Sequence, residues 1–301
     1  MIGRAFLVGC PRSGTTLLQS LVAAHPDAMS VPETFYFARI APTGRRGQLG
    51  LAPRTAPAVL GDLAAAGVAA DPSPGLLGPV TVHHYARAFV RRMDRTAREA
   101  GASLWLEKTP RHARYVDLIE GEVEGARFVH IVRAGEAVVA SLQEASERDP
   151  VVWPPMTPME TVAMWRRYLG YTTACVGREP HAFVSYEQLA AAPERVMAPL
   201  CDFLGLRADD AALQAILADY AASSQSVVGR VRRVAGEGST AIATEPWKQD
   251  VGAAIANRNE AKFHARFSAG ERAQISAAVA QEDDALARIP FLGATAPSSA
   301  A

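Results

Sequence analysis

Pro11-Arg12-Ser13-Gly14-Thr15-Thr16 packs a rigid residue, a cation, a glycine and three hydroxyls into one short stretch, a set of groups suited to holding an anion. Just ahead of it, residues 5–8 form an apolar run that reads as a short buried strand. Gly9 and Gly14 bracket the turn, and Thr15-Thr16-Leu17-Leu18 opens an apolar helical pattern. Strand, glycine-bounded loop and helix together turn backbone N–H groups toward a phosphate. A nucleotide triphosphatase loop carries lysine after its second glycine, followed by Ser or Thr. Here that place belongs to Thr15, and the loop's cation is Arg12. Such a loop suits a phosphate and is poorly made for ATP with magnesium. The bland alternative is a glycine-bracketed turn that merely joins a strand to a helix; the density of polar and backbone-restricting residues weighs against it.

Three further groups follow strand-like runs. Glu33 sits in the turn Pro32-Glu33-Thr34 after an apolar stretch at 28–31, just before the aromatics Phe35-Tyr36-Phe37. Lys108 comes just after Leu104-Trp105-Leu106, with Glu107 between, where Glu107-Lys108-Thr109-Pro110 is expected to break the strand. Arg133 stands at the end of the mostly apolar stretch 126–132, and Ser141 lies two helical turns beyond it. In a parallel sheet the strand carboxyl ends share one edge, so these groups converge there. An acid, a lysine, two arginines and several hydroxyls suit an anionic ligand whose reaction needs one proton removed. Each has a structural alternative. Glu33 could be a solvated turn residue, Lys108 a strand cap, Arg133 a partner for Glu107 or Glu136, and Ser141 an ordinary helix serine. His83, His84 and His112 read as solvated or helix-packing residues rather than ligands, and the aromatic run reads as core with one ring able to floor an acceptor pocket.

The elements that must position these groups alternate along the chain. Strands are predicted at 28–31, 103–106, 126–132 and 181–184 besides the first. Helices are predicted from Thr15 to the turn His25-Pro26-Asp27, then at 58–66, 83–100, 112–119, 136–147, 161–176, 193–204, 211–221 and 268–281. This alternation predicts an α/β fold: a P-loop-like, mostly parallel sheet flanked by helices. We expect one domain over 1–292, with an irregular insertion at 41–80, a proline-rich connection at 150–158, a mobile loop at 223–258 and a disordered tail at 293–301.

The 31 basic and 31 acidic residues cancel, so no global field recruits nucleic acid or an acidic membrane, and any basic site is local. Cys10, Cys175 and Cys201 lie far apart without metal-ligand spacing, which argues against a disulfide framework. No apolar run approaches the roughly 18 residues needed to span a bilayer. Little chain precedes Gly9, leaving no room for a signal peptide ahead of it, and the expectation is a cytoplasmic protein. Oligomeric state is not readable.

On these motifs the chain resembles sulfotransferases that use 3′-phosphoadenosine 5′-phosphosulfate. Gly9-Cys10-Pro11-Arg12-Ser13-Gly14-Thr15-Thr16 is similar to the family's 5′-phosphosulfate loop, and Arg133 with Ser141 resembles its 3′-phosphate motif. The order Pro-Arg-Ser-Gly-Thr-Thr, His-Pro-Asp, Glu, then Glu-Lys-Thr-Pro looks closest to the tyrosylprotein and heparan branches. Val184-Ser185-Tyr186-Glu187-Gln188-Leu189 is similar to a segment whose tyrosine lies near the nucleotide, and Trp247-Lys248 to a late loop over the cofactor.

The resemblance implies that Pro11, Arg12 and the backbone of Ser13, Gly14, Thr15 and Thr16 hold the 5′-phosphosulfate. It implies that Arg133 and Ser141 bind the 3′-phosphate, with Tyr186, Ser239 and Lys248 as further cofactor contacts. Glu33 would be the general base, and Lys108, with Arg12, would stabilise charge on the sulfonyl oxygens and the leaving phosphate. No metal is expected. The product nucleotide would be adenosine 3′,5′-bisphosphate, and the acceptor a small hydroxylated molecule such as a secondary metabolite. One departure is Ala134-Gly135 after the motif arginine, where the family often has an acidic residue or asparagine and then proline; it leaves the helix start less fixed. The alternative reading is a P-loop small-molecule kinase, against which the missing loop lysine and Arg133 at a strand end both argue.

Overall fold

The computed structural model describes residues 1–70, 80–222 and 259–293. Five short runs rich in aliphatic and aromatic residues form the strands: β1 Gly3–Gly9, β2 Ala28–Val31, β3 Leu104–Lys108, β4 Ala126–Val132 and β5 His181–Ser185. They build one sheet in the order β2-β3-β1-β4-β5, and every neighbouring pair is parallel. Every residue of β3 and β5 is buried, as expected where helices cover both faces of a parallel sheet.

Side chains alternate across the sheet. Phe6, Trp105 and Phe128 point to one face and pack with Phe37 and Phe89, with Phe6 edge-on to Trp105 at 5.3 Å between ring centroids. Ala5, Leu7, Leu104 and Leu106 point to the other, against Leu18 and Leu21 of the Thr15–Ala23 helix. The chain leaves central β1 toward β2 and β3 on one side and returns to β4 and β5 on the other. That reversal sets the carboxyl end of β1 between those of β3 and β4, the place where open parallel sheets bind ligands.

The strands predicted at 28–31 and 126–132 and the helix at 193–204 have those bounds. The strand predicted at 103–106 instead runs through Glu107 and Lys108, so Lys108 is the last rung of β3 rather than a residue beyond it. The helix expected at 161–176 starts earlier, as Pro158–Thr173, because Thr157 and Glu160 form a reciprocal capping box around Pro158. The segment expected to be helical at 112–119 is a 3-10 turn, Pro110–Tyr115, followed by the Val116–Glu122 helix. The short helix predicted at 58–66 lies at Ala56–Asp62. Helices Tyr36–Ile40, Gly44–Gln48, Tyr186–Ala191 and Asn259–Arg266 were not anticipated. The segment expected to be mobile, 223–258, lies outside the described residues, as does the tail beyond Gly293. Among the described residues no helix is long and apolar enough to cross a membrane.

Candidate active site

The loop after β1 is tight by construction. A Cβ on Gly9 would lie 2.5 Å from the carbonyl oxygen of Ile131, and one on Gly14 would lie 2.4 Å from the Tyr186 ring. Gly14 (φ 91°) and Arg12 (φ 70°) both adopt the left-handed conformation, an uncommon one for arginine. The Ser13 N–H closes the turn on the Cys10 carbonyl at 3.1 Å. The next helix begins with Leu18 N–H bonding Gly14 O, and its N-terminus has no side-chain cap. Its first-turn amides therefore have no acceptor within the helix. Ser13 Oγ is also buried without an oxygen or nitrogen partner among the described residues, its polar neighbour being the Cys10 thiol. Free amides, a buried hydroxyl lacking a strong partner and a positive helix end form a cradle for an oxyanion.

Two arginines flank this cradle. Arg12 Nε donates to Ser141 Oγ at 3.2 Å, and its guanidinium stands 5.6 Å from the Trp153 ring centroid. Arg133 Nη1 donates to the Arg12 carbonyl at 2.9 Å, its Nε donates to Asn259 Oδ1 at 3.1 Å, and its Nη2 reaches the same oxygen. The Arg133 guanidinium lies over the Tyr186 ring at 4.2 Å. Asn259 is held in turn by Glu187, whose Oε1 accepts from Asn259 Nδ2 at 2.8 Å and from the Ala134 amide at 3.1 Å. Burial lowers the pKa of both guanidinium groups; for Arg12 the charge of Arg133 lowers it further. Two desolvated cations side by side create a local demand for negative charge.

The helix Gly135–Arg148, which carries Ser141, starts firmly, contrary to the looseness expected from Ala134-Gly135. The Ala134 amide is tied to Glu187, and Trp165 Nε1 donates to the Arg133 carbonyl at 3.0 Å. A Cβ on Gly135 would come within 2.6 Å of Val279 and 3.2 Å of Trp165, so glycine allows this close approach.

Lys108 is only 1% exposed, and its Nζ forms an ion pair with Glu33 Oε1. The Glu33 side chain is 24% exposed. Lys108 stands level with Leu7 of β1, and Ile131 of β4 stands level with Gly9, so Lys108, the phosphate loop and Arg133 share one sheet edge. Arg133 makes no bond to Glu107 or Glu136, the structural partners considered from sequence. Tyr36 and Phe37 are wholly buried, whereas Phe35, two residues after Glu33, is 36% exposed. Ser239 and Lys248 lie outside the described residues.

Sequence reasoning missed Asn259, Glu187 and Trp153. Glu187 stood inside a motif already singled out; for Asn259 no local signal exists, because its role depends on a contact across 126 positions. A separate buried group, His130, His181 and Cys175, brings donor atoms within 4.8 Å of one another. Each imidazole nitrogen there already has a partner: Thr172 and His181 for His130, and His130 and Glu120 for His181. We read it as a hydrogen-bonded chain within the fold.

The phosphate loop, the arginine pair and the Glu33–Lys108 pair converge on one edge, and a model of the sulfotransferase family matches residues 5–210. The chain belongs to the sulfotransferase family. Membership of that family favours sulfonyl transfer over the kinase alternative. It is 28% identical over 207 residues to nodulation protein NoeE of Sinorhizobium fredii (strain NBRC 101917 / NGR234), a match covering 63% of this chain and 46% of that protein. The chain therefore spans under half the length of that relative. Two solved structures share the fold. The sulfotransferase domain of the Synechococcus PCC 7002 olefin synthase has a TM-score of 0.54 and 22% identity, covering 92% of this chain and 94% of that one. The sulfotransferase domain of the curacin biosynthetic pathway has a TM-score of 0.58 and 17% identity, covering 93% of this chain and 98% of that one.

Proposed function

We propose that this sulfotransferase takes its sulfonyl group from 3′-phosphoadenosine 5′-phosphosulfate and delivers it to a hydroxyl of a small, fairly apolar acceptor. The observation that carries the reading is the desolvated Arg12–Arg133 pair beside uncapped helix amides and the buried Ser13 hydroxyl. When bound, the donor supplies an activated sulfonyl group. Pro11, Arg12 and the backbone of Ser13, Gly14, Thr15 and Thr16 would hold its 5′ end.

Arg133 and Ser141 would take the 3′-phosphate. A guanidinium has five N–H groups, and Arg133 commits three to Asn259 and Arg12. One N–H on each terminal nitrogen remains for a phosphate, a bidentate arrangement. Tyr186, packed against both Gly14 and Arg133, would keep the two phosphate sites in register. Ser239 and Lys248 complete the set of cofactor contacts we propose.

Glu33 would accept the acceptor's hydroxyl proton, and its partial exposure leaves it reachable. The Lys108 ammonium would oppose negative charge growing on the transferring group, together with Arg12 from the loop. Transfer of this kind rests on positioning and electrostatics supplied by these side chains. Exposed Phe35, two residues after Glu33, and the balanced overall charge favour a small apolar acceptor over a long polyanionic one. We also propose that residues 1–292 act as one domain in the cytoplasm.

The deciding experiment is calorimetric titration with adenosine 3′,5′-bisphosphate, repeated with ADP and with Arg133→Ala. Preferential bisphosphate binding, lost in the variant, is expected. Equal affinity for ADP, or undiminished binding by the variant, would overturn the cofactor assignment.

A further inference from the structure

We infer that Glu107 is a positioning residue for the Glu33–Lys108 pair, an inference that rests on the roles proposed above for those two residues. Glu107 immediately precedes Lys108 on β3 and is wholly buried. By strand alternation it points to the face of Phe6 and Trp105, away from the Lys108 side. Its Oε1 accepts from the Thr34 amide at 3.3 Å, Thr34 Oγ1 at 2.8 Å and Thr109 Oγ1 at 2.6 Å. Its Oε2 meets His112 Nδ1 at 2.8 Å.

Those donors pass the anchorage on to the backbone after Glu33. Thr109 Oγ1 accepts the Phe35 amide at 3.2 Å, Thr34 Oγ1 accepts the Tyr36 amide at 3.1 Å, and His112 Nε2 accepts the Phe37 amide at 3.2 Å. Because Nε2 accepts, His112 carries its proton on Nδ1 and donates to Glu107. Four consecutive amides, 34 to 37, thus end directly or through one intermediary on a single carboxylate. They include amides at the start of the Tyr36–Ile40 helix, which that helix cannot satisfy itself.

The arrangement binds the turn carrying Glu33 to the strand end carrying Lys108. Thr34 follows Glu33, Thr109 follows Lys108, and both hydroxyls donate to the same oxygen of Glu107. Phe35 holds a left-handed conformation (φ 50°) within this turn, a strained geometry for an aromatic residue that the hydrogen bonds on either side enforce. A catalytic acid–base group gains from being held at fixed distance, and this network does so from behind, without touching the reacting groups.

The test compares Glu107→Gln with wild type by hydrogen–deuterium exchange, by affinity for adenosine 3′,5′-bisphosphate, and by release of that nucleotide from 3′-phosphoadenosine 5′-phosphosulfate with water or a simple phenol as acceptor. An amide side chain cannot accept all four donors. We expect exchange across residues 33–37 to rise at least tenfold while β1 and β4 stay protected, nucleotide affinity to stay within twofold, and release to fall at least tenfold. Thr109→Val, which deletes one donor, is expected to move the same readouts less, and it replaces the glutamine variant if that does not fold. Unchanged exchange at 33–37, or wild-type release in a folded variant, would overturn the inference. Glu33→Gln serves as the control. If it is inactive while Glu107→Gln is not, the positioning inference alone fails. If Glu33→Gln is fully active, the reading beneath it fails, and the exchange result still reports on the network.

Discussion

The side chain of Arg133 hydrogen-bonds the main chain of Arg12, Nη1 to carbonyl oxygen at 2.9 Å. The two halves of the proposed nucleotide site are therefore one mechanical unit: the residue after β4 holds the loop after β1 in its left-handed conformation. A lysine at 133 would keep the charge but cannot at once bond Arg12, Asn259 and a phosphate. Arg133→Lys is expected to weaken binding of adenosine 3′,5′-bisphosphate by roughly ten- to a hundredfold, the range for about 1.5–3 kcal/mol of charge-assisted hydrogen bonding. Calorimetry decides it, and an affinity equal to wild type would show that charge alone suffices.

Asn259 aims Arg133 and is itself aimed by Glu187. Asn259→Ala removes a neutral acceptor from a cation, which costs on the order of 1 kcal/mol, or about fivefold in nucleotide affinity. Asn259→Asp keeps an acceptor but places a new negative charge against Arg133 and next to Glu187. It is expected to bind the bisphosphate more weakly than the alanine variant. If aspartate proved the milder change, Arg133 would be a structural residue instead of a phosphate ligand.

Glu33→Gln preserves shape and removes the proposed base. Turnover is expected to fall by about 10² to 10⁴, the usual contribution of general base catalysis, with nucleotide affinity within twofold of wild type. Steady-state rates alongside calorimetry separate the two effects. Near-normal turnover would assign proton removal to another group.

What could be read directly was what short-range physics dictates. The strand at 126–132 is apolar apart from Arg127 and His130 because its neighbours bury both faces, and the loop around Gly9 and Gly14 announces itself by steric need. The helix expected at 161–176 has its true start at Pro158, which was legible in principle, since Thr157 and Glu160 stand at capping-box spacing, but the nearby prolines disguised that start. The Tyr36–Ile40 helix was not legible at all. Its first amides depend on Glu107, more than seventy residues away, and no local pattern records that dependence. The same holds for Asn259 and Arg133. The catalytic candidates could be named from sequence because each lies at or just beyond a strand end; the residues that orient them could not, because they act across the fold.

Gly135 poses a contest between two effects of similar size. Alanine is favoured over glycine in a helix by up to about 1 kcal/mol. Its Cβ would meet Val279 at 2.6 Å and Trp165 at 3.2 Å, and overpacking of this kind typically costs about 1–3 kcal/mol. Val279 is β-branched and stiff, so crowding should win. Gly135→Ala is expected to lower stability by about 1–2 kcal/mol in urea denaturation. In a Val279→Ala background the same change should become neutral or stabilising, and a double-mutant cycle measures the coupling. Additive effects would place the strain elsewhere.

His130 should make the fold acid-sensitive well above the carboxylate range. Burial, then the neighbouring charges of His181 and Arg178, push its pKa down to about 3. The unfolded chain regains an ordinary imidazole, with a pKa near 6.5. Between these values the unfolded state binds the extra proton, so the stabilisation is complete above about pH 6.5 and is lost as pH falls toward 3. At pH 5 the loss amounts to about 2 kcal/mol, taking 1.36 kcal/mol per pH unit. His181, whose pKa burial also lowers against the opposing pull of Glu120, adds in the same direction. Glu107, which burial would raise but which hydrogen bonds from His112, Thr109 and Thr34 hold low, contributes stability that is complete above the ordinary carboxylate pKa of about 4.3 and is lost only as pH falls below it, outside the range from pH 7.5 to 5. Denaturation of the wild type at intervals from pH 7.5 to 5 should therefore give a falling stability, and His130→Leu should flatten that slope by about one proton. A wild type equally stable at both ends, or a variant with the same slope, would mean that His130 takes up its proton in the folded chain by opening the chain of bonds through Thr172, His181 and Glu120.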